Sequence, residues 1–265
     1  MKRYRGGAFL KNPRELELMA EANRMVANML DAIGDAIEVG LTTMHVEHLV
    51  QAMCIKYGVK PAFQGYRGYP YATCCSVNEA VVHGFPTERK LRSGDIVSVD
   101  IGVEYGGFVG DAARTYPVGD VDSETMRLMR VTEESLYLGI EKARSGNDLY
   151  DVSWAVQSHV EAAGFHVVKQ YCGHGVGSRM HEKPDVPNFR PSSGSFPLAA
   201  GMVIAIEPMV GARTGNVRVL GDKWTAVTTD GSYAAHFEHS VAITSSGPRI
   251  LSVSDRGLNR HTIPA

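Results

Sequence analysis

The chain has 265 residues, of which 44% are hydrophobic and 21% charged, and it contains 28 glycines and 12 prolines. This composition is typical of a globular protein and excludes a disordered, collagen-like or coiled-coil chain. Because 27 basic and 29 acidic side chains leave a formal charge of −2, the whole molecule has no strong field that would attract nucleic acid or an anionic membrane.

The first predicted element is a helix that begins after Asn12. Asn12 is a good capping residue, Pro13 suits the first helical position, and Glu15 completes a capping box. Apolar residues then recur at helical spacing, at Met19, Ala22, Val26, Met29 and Ile33. A second helix is predicted to begin after Thr42-Thr43 and to end at Gly58. Its buried face should comprise Val46, Leu49, Val50 and Met53.

Strands are predicted in the next part of the chain. Residues 66–84 contain short aromatic and β-branched runs separated by Gly, Pro and Asn. Residues 95–118 give the clearest pattern, because Val97, Val99, Ile101 and Val103 alternate with smaller or polar residues. Gly106-Gly107 within this segment predicts a hairpin turn.

A similar order of elements follows in the second part of the chain. Two helices are predicted at about residues 122–146 and 147–164, and then strands at 202–207, 223–228 and 233–243. The order of two helices followed by strands therefore occurs twice, with a junction near Gly119-Asp120. We predict one domain over residues 1–265, made of two similar halves at about 1–119 and 120–265.

Two aspartates interrupt the predicted hairpin. Asp100 lies in the middle of an apolar strand, where an unpaired carboxylate is costly to bury. If Gly106-Gly107 is a two-residue turn, Asp111 faces Gly102, and Asp100 and Asp111 are diagonal neighbours on one face. A three-residue loop would put them on opposite faces. The alternative for both is a solvated position at a sheet edge.

Two more carboxylates, Glu207 and Glu238, lie inside later apolar strands. Carboxylates at such positions persist chiefly when they are paired or bind metal. His174, between Gly173 and Gly175, offers a nitrogen ligand on a backbone that can fold tightly. A set of four carboxylates and one imidazole suits a borderline divalent ion such as Mn, Fe, Co or Zn.

This set of residues closely resembles the five metal ligands of the methionine aminopeptidases. The resemblance lies in Val99-Asp100-Ile101, Gly110-Asp111, Gly173-His174-Gly175-Val176-Gly177, Ile206-Glu207-Pro208-Met209 and Glu238-His239-Ser240. It implies the α+β "pita-bread" fold, with two pseudo-symmetric halves around two divalent metal ions (Co, Mn, Fe, Zn or Ni). It further implies that Asp111 and Glu238 bridge the ions, with Asp100 on one ion and His174 and Glu207 on the other.

The resemblance also implies catalytic and substrate-binding residues. His181 would hydrogen-bond the scissile carbonyl, His83 would contact the amide nitrogen, and Glu207 would be the general base. Tyr66, Tyr69, Cys74 and Trp224 match the pocket for the methionine side chain. Phe63 and Met180 depart from the family, because bacterial members often have cysteine and phenylalanine there. We expect these two residues to change the shape of the pocket.

The implied activity is removal of the initiator methionine from nascent polypeptides whose second residue is small. The peptide substrates would be met at the ribosome, and we expect a monomer of the short, bacterial-like first type. The alternatives are a proline-linked peptidase of the prolidase or aminopeptidase P type, which usually carries a further amino-terminal domain, and a non-enzymatic relative that binds ribosomes or peptides.

The cellular location is predicted from several missing signals. The four cysteines, which include Cys75 and Cys172, have no paired Cys-x-x-Cys spacing and suggest reduced thiols. No apolar run follows the basic amino terminus, and no stretch of 18 apolar residues occurs. We therefore expect a cytoplasmic protein that does not contact membranes.

Overall fold

The computed structural model describes residues 1–258, which form four α-helices, two short 3-10 helices and seventeen strands. The α-helices are α1 (Pro13–Ala36), α2 (Thr43–Tyr57), α3 (Ser123–Lys142) and α4 (Leu149–Ala162), and the 3-10 helices are Arg5–Gly7 and Tyr66–Gly68. The first nine strands are β1 (Lys2–Arg3), β2 (Phe9–Leu10), β3 (Lys60–Pro61), β4 (Thr73–Val77), β5 (Ala80–Val82), β6 (Ile96–Tyr105), β7 (Phe108–Pro117), β8 (His166–Val167) and β9 (Gly173–Gly175). The others are β10 (Glu182–Val186), β11 (Val203–Ile206), β12 (Met209–Gly211), β13 (Val217–Val219), β14 (Ala226–Thr228), β15 (Ala234–His236), β16 (Glu238–Thr244) and β17 (Gly247–Ile250).

The helix ends follow the predicted signals closely. Asn12 and Glu15 form the expected capping box at the start of α1, and Gly58 ends α2 in a left-handed conformation with φ 67°. Helix α3 is shorter than predicted and stops at Lys142. The chain turns beyond it, at Gly146 with φ 93°, where the backbone N–H of Gly146 donates to the carbonyl of Leu198.

A nine-stranded sheet runs through the molecule in the order β10-β9-β11-β16-β7-β6-β3, with β17 beside β16 and β4 beside β6. The predicted two-residue hairpin between β6 and β7 is confirmed, because Tyr105 pairs with Phe108 and Gly102 pairs with Asp111. Asp100 and Asp111 are therefore diagonal neighbours on one face of the sheet.

Helices α1 and α2 cover the opposite face of β6. Val97, Val99 and Ile101 are completely buried in the apolar core that these helices share with the sheet. Since side chains alternate along a strand, Asp100 points to the other face. A second core lies under α3 and α4 and includes Ile204 and Ile206 of β11. The helix pairs thus occur twice, as predicted, and residues 259–265 of the second predicted half lie outside the described residues.

The long strand predicted at residues 233–243 is interrupted at Phe237. Its first part, β15, pairs with β12 in a separate three-stranded sheet, and its second part, β16, belongs to the central sheet. The break follows from Thr115, whose hydroxyl group bonds both backbone groups of His236.

The strand predicted at residues 223–228 begins only at Ala226. Asp222 explains the delay, because its side chain accepts hydrogen bonds from the N–H groups of Trp224 and Thr225 and so forms a turn. Among residues 1–258, none of the helices combines the length and hydropathy needed to cross a membrane.

Candidate metal centre

A cavity of about 160 Å³ lies on the face of the sheet to which Asp100 points. Every residue that the sequence suggested for the site lines it. These are the five candidate metal ligands Asp100, Asp111, His174, Glu207 and Glu238, and the substrate-binding candidates His83, His181, Tyr66, Tyr69, Cys74 and Trp224. The cavity therefore brings together residues from both halves of the chain.

Three of the candidate ligands form a tight cluster. One ligand atom each of Asp111, His174 and Glu238 lies within 4.8 Å of the others. Glu207 adjoins this cluster, since its Oε1 is 3.6 Å from His174 Nε2. Asp100 lines the same cavity from β6, and its charge interacts with that of Asp111.

Burial and mutual repulsion change the titration of these carboxyl groups. Asp111 and Glu238 are each only 3% exposed. Burial raises the pKa of Asp111 to about 7, and burial together with neighbouring carboxylates raises the pKa of Glu238 well above its usual value. Burial likewise raises the pKa of Asp100 and of Glu207, with repulsion by Asp111 adding to both.

Several oxygens of this cluster lack hydrogen bonds. Asp100 Oδ1, Asp111 Oδ1 and Glu238 Oε1 are buried and find no hydrogen-bond partner within residues 1–258. Such atoms are rare in proteins because leaving them unpaired is costly. A cation would satisfy all three, so these orphaned oxygens fit a metal site.

His174 has the tautomer that a metal ligand needs. Its Nδ1 lies 2.9 Å from the carbonyl oxygen of Gly175, which can only accept, so Nδ1 carries the proton and donates. Burial lowers the pKa of the ring to about 3, with repulsion from His181 adding to the shift. The neutral ring therefore directs the lone pair of Nε2 between Asp111 Oδ2, at 3.7 Å, and Glu207 Oε1.

The glycines beside His174 have a different role from the one expected. The sequence suggested a tightly folded loop, but Gly173–Gly175 is strand β9. A Cβ atom at Gly173 would lie 2.2 Å from the carbonyl oxygen of Ala205, and one at Gly175 would lie 2.4 Å from that of Lys183. The glycines thus let β10 and β11 approach the strand that carries the imidazole.

Two further histidines lie at the cavity. His181 is exposed and stacks on Tyr66 with ring centroids 5.4 Å apart, and the Tyr66 hydroxyl is 2.9 Å from His181 Nδ1. His83 has a left-handed backbone, with φ 60°, and packs edge-on against Tyr171 and Trp224. Burial lowers the pKa of His83 to about 4, with a smaller contribution from His181.

Aromatic and sulfur-containing residues form one wall of the cavity. Tyr69 and Trp224 meet edge-to-face at 5.1 Å, and Cys74 is buried beside them. Phe63 and Met180, which departed from the expected pattern, are neighbours. A Cβ atom at Gly102 would lie 2.7 Å from Phe63 Cε1 and 2.8 Å from Met180 Cε. Such a surface suits a thioether side chain.

The sequence reasoning missed several residues that line the cavity: Arg67, Val82, Tyr171, Met209 and His236, with Cys172 at its exposed edge. His236 is the most consequential of them, because it is a buried imidazole 3.8 Å from Glu207. A signal for it exists in the sequence. His236 is two residues before Glu238, and the alternation of side chains in an extended chain puts both on one face.

The family model of metallopeptidase family M24 matches residues 17–245 of the chain. The chain is 46% identical over 242 residues to methionine aminopeptidase 1 of Bacillus subtilis, covering 91% of this chain and 98% of that protein. It is 46% identical over 245 residues to the methionine aminopeptidase of Clostridium perfringens, covering 92% and 98%.

Solved structures show the same similarity. The crystal structure of a methionine aminopeptidase from Thermotoga maritima matches with a TM-score of 0.90 and 48% identity, covering 92% of this chain and 99% of that one. The prolidase of Pyrococcus horikoshii OT3 matches with a TM-score of 0.74 and 22% identity, covering 93% of this chain and 64% of that one. At that identity the prolidase supports the fold alone.

Proposed function

The chain belongs to metallopeptidase family M24 and within it to the methionine aminopeptidases, and from this premise we propose how its cavity performs that chemistry. Its fold is the pita-bread fold of the family, and it is a metal-dependent aminopeptidase that hydrolyses the bond after an N-terminal methionine. One observation assigns this activity to the cavity. Four carboxylates and one neutral imidazole converge there, and three of the carboxylates have a buried oxygen without a hydrogen-bond partner in the described part of the chain.

Asp100, Asp111, His174, Glu207 and Glu238 would together hold two divalent ions in the proposed metal centre. Four carboxylates balance the charge of two such ions. Mn, Fe, Co, Zn and Ni all accept this mixed set of oxygen and nitrogen ligands. Bound ions supply Lewis-acid chemistry, which polarises the scissile carbonyl and activates water.

The residues of the chain act around that centre. Glu207 takes a proton from the attacking water and delivers it to the leaving amine, a role supported by its raised pKa and its place at the cavity. The Tyr66 hydroxyl lies 2.9 Å from Nδ1 of His181. In the proposed mechanism it donates to that nitrogen, which leaves the ring proton on Nε2. His181 then donates from Nε2 to the carbonyl oxygen as negative charge develops there. His83 contacts the amide nitrogen.

The methionine side chain packs against the cavity wall formed by Tyr66, Tyr69, Cys74 and Trp224. The aromatic rings and the thiol are polarizable, and Tyr69 and Cys74 are buried, which favours a thioether over a polar side chain. We expect the residue that follows the methionine to be small. Phe63 and Met180 complete the wall and set its width.

The biological setting is also part of the proposal. The substrates are N-terminal peptides of nascent chains, met at the ribosome in the cytoplasm. The protein acts as a monomer and a single catalytic domain, in which residues 1–119 and 120–265 form the two halves. The near balance of charge gives no support for binding to nucleic acid or membrane.

The test is release of methionine from Met-Ala-Ser after chelation and reloading with Mn, Fe, Co, Zn or Ni. Glu207→Gln should lower kcat by at least about 100-fold, whereas Glu104→Gln, on the exposed end of β6, should not. An Xaa-Pro dipeptide serves as the control substrate for a proline-linked peptidase. No release of methionine with any metal would contradict the proposed function.

A further inference from the structure

The two oxygens of Glu207 face two different imidazoles. Oε1 is 3.6 Å from Nε2 of His174, and Oε2 is 3.8 Å from Nε2 of His236. His174 belongs to the proposed ligand set, but His236 does not. The Glu207 carboxylate therefore lies between two imidazole rings. The His174 ring directs a lone pair towards the carboxylate cluster, whereas the His236 ring has no assigned role.

The Nε2 atom of the buried His236 ring lacks a hydrogen-bond partner among residues 1–258. His236 is 2% exposed and lines the cavity. Glu207 Oε2 lies within ion-pair distance of the His236 Nε2 atom and can accept a hydrogen bond from it. A buried ring nitrogen in this situation is normally satisfied by some group in the functional state.

The backbone of His236 is held from both sides. Its N–H donates to the hydroxyl oxygen of Thr115 at 3.0 Å, and the Thr115 hydroxyl donates to the His236 carbonyl at 2.7 Å. The hydroxyl of Ser98, 2.8 Å from that of Thr115, completes the arrangement from β6. The imidazole is thus carried on a backbone with little freedom to turn away from Glu207.

We propose that His236 is a positioning residue for Glu207, donating a hydrogen bond from Nε2 to Oε2 so that Glu207 offers only Oε1 to the cation it shares with His174. This inference rests on the proposed function, because it takes Glu207 as both ligand and base. To form the bond, the distance of 3.8 Å has to shorten by roughly 0.6 Å or more. A small rotation of the Glu207 side chain supplies that.

The fixed carboxylate matters for both roles of Glu207. A partner that holds the second oxygen of a ligating carboxylate orients the first, and losing such a partner typically lowers metal affinity or activity by about 10- to 100-fold. Loss of this partner should therefore lower kcat or the affinity for the metal and leave substrate binding unchanged. This pattern separates a positioning residue from one that contacts the peptide.

The variants are His236→Leu, which removes the donor at similar volume, and His236→Gln, whose amide can still donate. His48→Leu on the exposed side of α2 is the matched control. Each protein is measured for kcat and KM on Met-Ala-Ser, for Mn(II) affinity by calorimetry, and for the visible absorption spectrum of its Co(II) form. The spectrum reports how Glu207 binds the metal without requiring turnover.

We expect His236→Leu to lose about 10- to 100-fold in kcat or Mn(II) affinity, with KM changed by less than about twofold and the Co(II) spectrum altered. His236→Gln should retain most of the activity and the wild-type spectrum, and His48→Leu should match the wild type. Wild-type kcat, affinity and spectrum in His236→Leu would overturn the proposal. A raised KM with unchanged kcat would also overturn it, since His236 would then bind the peptide.

A crystal structure of the wild-type protein loaded with Mn(II) decides the question even if His236→Leu fails to fold. The proposal expects His236 Nε2 at hydrogen-bond distance from Oε2 and only Oε1 on the cation. A metal bound by His236, or by both oxygens of Glu207, would refute it. If the wild type releases no methionine with any metal, the proposed function fails, whereas the spectra and the crystal structure still test the contact itself.

Discussion

Lys11 and Glu182 form a buried ion pair that joins the amino-terminal segment to the strand behind His181. Lys11 Nζ is 2.8 Å from Glu182 Oε2, and the two side chains are 1% and 0% exposed. The residues are 171 positions apart in the chain. Glu182 directly follows His181, so the pair fixes the start of β10 at the edge of the cavity.

Lys11→Met should destabilise the protein by about 3 kcal/mol, because it leaves the buried Glu182 carboxylate without its cation. The free energy of unfolding, measured by urea denaturation, tests this. Lys183→Met is the control, since the Lys183–Asp185 pair is 57% and 64% exposed and should contribute far less. Equal stability losses in the two variants would contradict the prediction. Replacing both Lys11 and Glu182 by methionine should recover much of the loss.

Metal binding should stabilise the folded protein strongly. At a free metal concentration of about 100 times Kd the gain is about 2.7 kcal/mol, which corresponds to a rise of roughly 5 °C or more in Tm. Scanning calorimetry of chelated and Mn(II)-loaded protein measures this rise. Asp111→Asn should abolish most of it and should also make the metal-free protein more stable, because one buried carboxylate is removed.

The exposed Asp120 provides the control for that experiment. Asp120→Asn should show the wild-type response to metal and no gain of stability in the metal-free form. A full response of Asp111→Asn to metal would show that the cation binds elsewhere.

The contact between Tyr66 and His181 should affect the rate more than substrate binding. Tyr66→Phe keeps the stacked ring but removes the hydroxyl that lies 2.9 Å from Nδ1. Without that bond the ring proton is free to move to the wrong nitrogen, so we expect kcat to fall about tenfold with little change in KM. Steady-state kinetics on Met-Ala-Ser measure both. Tyr71→Phe, a hydroxyl deletion in the neighbouring aromatic cluster, should have no such effect.

The hairpin shows how much of the site local sequence can predict. Gly106-Gly107 sets a two-residue turn, and the period of two along the strands then puts Asp100 and Asp111 on one face. Glu207 and Glu238 needed only the observation that a charge interrupts an apolar run, and His174 was suggested by the glycines on either side of it. The position of a residue along a strand can be predicted from local sequence, and the structure has Asp100 and Asp111 on the predicted face.

What the sequence could not predict depends on contacts between distant segments. Phe237 interrupts the last long strand because Thr115, 121 positions away, bonds the backbone of His236. Glu47 on α2 is buried because it accepts hydrogen bonds from the backbone of Ala72 and Thr73 in and beside β4. No periodicity encodes such pairs, so an amphipathic pattern predicts neither the break nor the buried glutamate.

The width of the methionine pocket should depend on Gly102. An alanine there would bring its Cβ within 2.8 Å of Phe63 and Met180, whose flexible ends would move into the cavity. We expect Gly102→Ala to fold and to lose about tenfold in kcat/KM, the effect of roughly one methylene group in an apolar pocket. Gly221→Ala, whose Cβ would meet no atom within 4 Å, is the control. Unchanged kinetics in Gly102→Ala would exclude Phe63 and Met180 from the pocket wall.

Stability in acid should depend on Asp95, which lies one residue before β6 and is 5% exposed. Burial alone would raise its pKa, but hydrogen bonds from Arg89, from Asn78 and from the backbone N–H of Arg92 outweigh burial and hold the pKa below its usual range. A carboxyl group whose pKa is lower in the folded state stabilises the protein above its unfolded pKa of about 3.9. That stabilisation disappears as the pH falls through the lower, folded value.

Asp95→Asn should therefore cost about 2 kcal/mol at pH 7, where the charged hydrogen bonds are lost. The difference from the wild type should begin to shrink once the pH falls below about 3.9, where the unfolded wild-type chain takes up the proton, and it disappears only as the pH passes the lower folded pKa. Urea denaturation at pH 7, 5 and 3 gives the three free energies, and Asp120→Asn serves as the exposed control. A difference that stays constant over this range would mean that Asp95 contributes through packing and not through its charge.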